Sequence, residues 1–89
     1  PINKGRLVEA YDLRGNTKIF LGRYKEAICD YTKAIELDPK NNYLFFWRGY
    51  AYIEKSAYRY AIKDLEISIH LDPNFQLAKK LLDELENLC

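Results

Sequence analysis

Residues 14–39 read RGNTKIFLGRYKEAICDYTKAIELDP and residues 48–73 read RGYAYIEKSAYRYAIKDLEISIHLDP. The two stretches open on the same dipeptide, close on the same tripeptide and lie 34 positions apart, so the chain is built on a repeat. Working outward, residues 8–41 set against 42–75 without a gap share 11 identities in 34. These are Arg14/Arg48, Gly15/Gly49, Ile19/Ile53, Tyr24/Tyr58, Ala27/Ala61, Ile28/Ile62, Asp30/Asp64, Ile35/Ile69, Leu37/Leu71, Asp38/Asp72 and Pro39/Pro73. Ordinary residue frequencies would supply about two. Tyr11/Phe45 adds a similar pair.

Each unit divides into two helices. Over 8–21 the apolar residues Val8, Tyr11, Ile19 and Leu21 stand among polar ones, and Gly22 suits a helix C-terminus, where a left-handed residue costs little. Tyr24 to Leu37 then carries Ala27, Ile28, Tyr31, Ala34 and Ile35 at spacings of three and four, the pattern of a half-buried helix. Asp38-Pro39 stops it, and the same pair suits an N-cap and first helical position for the next helix. The second unit predicts helices near 42–55 and 58–71, with Ser56 standing where Gly22 stood in a less relaxed turn. Beyond Pro73 a fifth helix is expected, with Leu77, Ala78, Leu81, Leu82, Leu85 and Leu88 on one side. Lys79, Lys80, Asp83, Glu84 and Glu86 lie on the other, as in a helix that covers the open end of a repeat array.

These residues resemble two tetratricopeptide repeats followed by a capping helix. Tyr11 with Gly15 and Phe45 with Gly49 supply the large and small residues of the family's first helix, and Tyr24/Tyr58, Ala27/Ala61, Ala34/Ser68 and Pro39/Pro73 complete the pattern. Lys18 departs from it where an aromatic is usual, whereas Tyr52 keeps it. The resemblance implies an all-α fold of antiparallel helix pairs stacked in a right-handed superhelix. Its divisions are a lead-in at 1–7, repeats at 8–41 and 42–75, and a capping helix at 76–89.

The remaining composition sets bounds. Eighty-nine residues make one small domain, 48% of them apolar and 30% charged, and the net charge of +1 gives no field that selects nucleic acid or an anionic membrane. Cys29 and Cys89 are expected to be free thiols, which with the absence of an apolar span or leader points to the cytoplasm. A start at Pro1 and a chain without Met suggest a segment of a longer reading frame.

Once the repeat's packing residues are set aside, one feature stands out. If the first helix of each unit lines a concave face, as the resemblance implies, Tyr43, Phe46, Trp47 and Tyr50 form one groove-facing stripe. Leu44, Phe45, Gly49 and Tyr52 form the buried one. Leu13 and Phe20 join the groove from the first helix, and Asp12, Asn16 and Glu54 are placed to hydrogen-bond a bound backbone. Three ways of covering the stripe stand open. It folds against Leu77 and Leu81 of the cap or Leu13 and Phe20 of the first helix, it receives a partner peptide or protein, or it meets a second copy of the chain. Single-stranded RNA held by aromatics with Arg48, Arg59 and Lys55 is a weaker alternative.

Family members that grip the C-terminal carboxylate of heat-shock chaperones use Lys and Asn on the first helix, Asn on the third, and Lys and Arg on the fifth. The matching places here hold Asp12, Asn16, Trp47, Leu77 and Leu81. Only Asn16 agrees, and Asp12 would repel a carboxylate, so no chaperone carboxylate clamp is expected. Neither is an enzyme, a cofactor or a metal. His70 ends a helix, Glu84 and Glu86 are not neighbours on a helix face, and the glycines are too scattered for a phosphate loop.

Overall fold

Helix boundaries follow from local chemistry in the computed structural model, which describes residues 3–87. Asn3 accepts the backbone N–H of Arg6 through its side-chain oxygen at 2.8 Å, so α1 begins at Lys4, ahead of the expected residue 8, and runs to Phe20. The other helices are α2 (Tyr24–Leu37), α3 (Asn42–Glu54), α4 (Tyr58–Leu71) and α5 (Gln76–Glu86). Asp38-Pro39 and Asp72-Pro73 stop α2 and α4 as expected, but neither proline starts a helix. Pro39 sits in a turn, and Asn41 caps α3 by accepting the backbone N–H of Tyr43 at 3.1 Å. Asp38 is instead the C-cap of α2, and Asn41, three residues on and extended in backbone, takes the start.

The turn inside each repeat is the same left-handed device. Gly22 has φ +76° and Ser56 φ +61°, and the following N–H reaches back in both: Arg23 to the carbonyl of Lys18, and Ala57 to that of Tyr52, each at 2.8 Å. Ser56 therefore holds a conformation that glycine adopts without strain.

Within a repeat the helices meet where side chains are smallest. A Cβ at Gly15 would lie 2.9 Å from Cζ of Tyr31, so the Tyr31 ring rests directly on α1. At Gly49 the nearest atoms would be Cβ of Asp64 at 3.3 Å and the Ala61 carbonyl oxygen at 3.4 Å, a looser fit. Both pairs are also tied by charge. Arg14 donates to the two oxygens of Asp30 at 2.7 and 3.0 Å, and Arg48 to those of Asp64 at 2.8 Å each. Arg48 also donates to Thr32 Oγ1 at 3.2 Å, which links the second repeat to the first. Lys18, at the family's aromatic position, pairs instead with Glu26 at 3.0 Å.

The helix pairs stack through α2 on α3 and α4 on α5 into a body of 48 × 28 × 17 Å. Ala27, Tyr31, Ala34 and Leu44 form the core of the first repeat, and Phe46, Ala61, Leu65, Ala78 and Leu85 that of the second, with Trp47 packed against both. Helix α5 sets Ala78 and Leu85 inward and exposes Lys80, Asp83, Glu84 and Glu86. Asp83 stands one period after Gly49, so α5 carries a side chain where the first helix of each repeat has none. Leu88 and Cys89 lie outside the described residues, while Cys29 is a free, exposed thiol.

Tyr58, a position that the repeat pattern assigns to packing in the core, is instead 42% exposed. Its counterpart Tyr24 is half-buried, with Glu54 and Tyr50 of the following repeat beside it, whereas Tyr58 opens on a concavity with Leu81, Glu84 and Leu85 of α5. Among the described residues no helix is long and apolar enough to cross a membrane.

Two substitutions test this packing. Gly15→Ala is expected to destabilise by about 1–3 kcal/mol as the Tyr31 ring is displaced, outweighing the gain in helix propensity, and a wild-type urea midpoint would refute it. Ser56→Gly is expected to stabilise by about 1 kcal/mol by relieving the left-handed strain, read as a raised melting temperature.

Candidate functional site

The face shared by α1, α3 and α5 is built from helix positions one turn apart. Asp12, Asn16 and Phe20 form a ridge on α1, and Tyr43, Trp47, Tyr50 and Glu54 a ridge on α3. Two open concavities flank Trp47. The first, about 240 Å³, is lined by Asn16, Ile19, Phe20 and Trp47. In the second, about 290 Å³, Trp47 and Tyr50 face Leu77, Lys80, Leu81 and Glu84 of α5.

The aromatic residues are ordered by edge-to-face contact. Trp47 lies edge-on to Tyr50 at 5.8 Å and to Phe46 at 5.1 Å between ring centres, and Phe46 continues to Phe75 at 4.9 Å. Phe46 corrects the expected stripe, since it is only 4% exposed and belongs to the second core. Its ring is drawn inward because α5 brings Ala78 and Phe75 against it. Tyr43 leans edge-on against Phe75 at 5.3 Å, not on Leu77 or Leu81, and stays 54% exposed. Trp47 and Tyr50 are half-buried, while Leu13 and Phe20 are 67% and 89% exposed. The structure thus covers one side of Trp47 and leaves the concave side open.

The three expected polar contacts differ in what they can still do. Asn16 Oδ1 already accepts the hydroxyl of Tyr31. Glu54 stands beside the Tyr24 hydroxyl, whose pKa burial, and then Glu54, raise. Asp12 makes no ion pair among the described residues, and its Oδ1 is buried without a hydrogen-bond partner. Burial holds its carboxyl above the ordinary carboxylate range. Burial, followed by the charges of Asp12 and Asp30, pushes the neighbouring Tyr31 phenol up as well.

One period later the Asp12 position is Phe46, so α1 places a carboxylate where the second repeat places a buried ring. The pair Asn16 and Tyr31 likewise becomes Tyr50 and Leu65, so Tyr50 is released to face the groove. The Arg14–Asp30 and Arg48–Asp64 pairs were missed as partners in the sequence, although both members recur in both repeats at a separation of 16. That recurrence was the available signal. It removes Arg48 from any nucleic-acid surface, because its guanidinium is committed to Asp64.

Known proteins place this geometry. A family model described as TPR repeat matches residues 15–56. Sperm-associated antigen 1 of Mus musculus is 36% identical over 77 residues, covering 86% of this chain and 8% of that protein. The Protein SGT1 homolog of Oryza sativa subsp. japonica is 37% identical over 79 residues, covering 85% of this chain and 22% of that protein. The chain thus spans less than a quarter of the length of these curated relatives. Among solved structures, the second TPR of Spaghetti (RPAP3), bound to the HSP90 peptide SRMEEVD, superposes with a TM-score of 0.78 at 28% identity. That match covers 93% of this chain and 85% of the other.

The Asp12 environment predicts a pH-dependent stability. A folded carboxyl that titrates above its unfolded value costs stability as pH rises through that interval, and the cost is complete at neutral pH. Asp12→Asn is expected to raise the melting temperature at pH 7, with the advantage shrinking as the pH falls and gone below pH ~3.5, where the carboxyl is protonated in both states. An advantage independent of pH would contradict the assignment.

Proposed function

The chain belongs to the tetratricopeptide-repeat family, and from that premise we propose that it is a non-catalytic protein–protein interaction scaffold whose concave face holds a segment of a partner. The observation that carries the proposal is Trp47, anchored in both cores and open to a concavity on either side. A ring held rigid by its neighbours loses little entropy when a ligand covers it, and Trp and Tyr dominate interface energies for that reason. The repeat supports the reading in a second way. The 11 identities fall on residues that shape and join the helices, whereas Asp12, Leu13, Asn16 and Phe20 differ at every place from Phe46, Trp47, Tyr50 and Glu54. The scaffold repeats and the concave face does not.

The solved relative that holds SRMEEVD supports a peptide as the general kind of partner. Phe20 of α1 and Tyr50 of α3 supply apolar contacts beside Trp47, the exposed Leu13 adds apolar surface on α1, and Tyr43 extends the face toward the start of α3. Cytoplasmic residence and an adaptor role are part of the same proposal.

Phe20→Ala separates binding from folding. Phe20 is 89% exposed, so its removal is expected to leave the melting temperature within a degree or two of wild type. It should also weaken a bound peptide by about tenfold, as a hot-spot truncation does. Trp47, the chain's one tryptophan, reports both events by its fluorescence. Unchanged affinity in Phe20→Ala would remove the first concavity from the site.

A further inference from the structure

We infer that the partner segment is basic, a peptide carrying Lys or Arg among apolar residues, with its cation set against Asp12 and its apolar groups against Trp47. This rests on the groove reading above and specifies its chemistry. Among the residues lining the two concavities, Lys80 and Glu84 are opposite charges four apart on α5 and offset one another. Asp12 on the α1 ridge and Glu54 on the α3 ridge form no ion pair among the described residues, so this face carries unopposed negative charge although the whole chain carries +1.

Three observations make Asp12 a recognition group. Its Oδ1 is enclosed without a hydrogen-bond partner while the residue as a whole is only half-buried, so the carboxylate is left to be satisfied from its open side, through Oδ2. The fold does not need the carboxylate there, because one period later the same position is a buried phenylalanine. The same face of α1 and α3 suits a cation: Trp47, Tyr50 and the exposed Tyr43 are rings on which Lys or Arg can rest, and the exposed Leu13 and Phe20 can hold the apolar stem of such a side chain. An acidic segment would bring its charge toward Asp12 with Lys80 as the one cation lining the concavities. The complementary partner is thus opposite in sign to a carboxylate-ended peptide.

The test is selection from a random octapeptide display library on the 89-residue chain, with SRMEEVD as a separate probe and Trp47 fluorescence as the affinity readout. Selected peptides are expected to be enriched in Lys and Arg at least threefold over the input and depleted in Asp and Glu. Their affinity should fall about tenfold in Asp12→Asn, the loss of one charge-assisted contact, in a variant no less stable than wild type. It should also weaken between 50 and 500 mM salt. Asp12→Lys should shift the selection toward acidic peptides. Neutral or acidic winners that still quench Trp47, or equal binding by Asp12→Asn, would overturn the basic partner and leave the groove reading standing. Peptides that, by titration calorimetry, bind Trp47→Phe and Phe20→Ala as well as wild type, or a failure to select any peptide, would overturn both. A dimer at micromolar concentration with Trp47 shielded would make a second copy the occupant and overturn the inference likewise.

Discussion

Everything on the concave face depends on how closely the two helices of each repeat approach. With no side chain at Gly15, the Tyr31 ring lies against α1, and with none at Gly49, Ala61, Asp64 and Leu65 lie against α3. Helices held this near leave no room for water between them, which is why Asp30 and Asp64 are buried and must be paired. Arg14 and Arg48 supply that pairing through two hydrogen bonds each, so close approach and ion pair form one unit, repeated 34 residues later. Arg14 is largely exposed and its pair is softened by water, whereas removing Arg48 leaves Asp64 buried and uncompensated, a loss of about 3–5 kcal/mol. That is a large share of what a domain of this size has.

The two repeats diverge where the scaffold permits it. Tyr31 and Leu65 fill equivalent slots, but only Tyr31 carries a hydroxyl, and Asn16 is its acceptor. With Leu65 in the second repeat no such partner is required, and the matching residue becomes Tyr50, free to line the groove. Asp12 and Phe46 show the opposite trade. The ring buries well against α5, while the carboxylate in the first repeat keeps a buried oxygen without a partner.

Much of the architecture was legible because its signals are local. The period, the stops at Asp38-Pro39 and Asp72-Pro73, and the left-handed turns at Gly22 and Ser56 each depend on a few adjacent residues. Even Ser56 behaved as its sequence implied, adopting the glycine conformation under strain. The start of α3 was the exception: Asn41 took the cap expected of Asp38, since two capping side chains lay three residues apart and only geometry chose between them.

By itself the sequence determined which residues are helical, which must be small, and that two units share one scaffold, because backbone preferences and close contacts demand particular residue types. It also determined that the chain's aromatics cluster on α3. Only the tertiary structure decided which of those aromatics remain open. Phe46 and Trp47 are adjacent in sequence and alike in character, yet one is closed by Phe75 and Ala78 and the other is left at the edge of two concavities. A helix apolar on two sides does not encode which side its neighbours will cover. That depends on where α5 lands, and its position is set by contacts with α4 and Phe46 far along the chain.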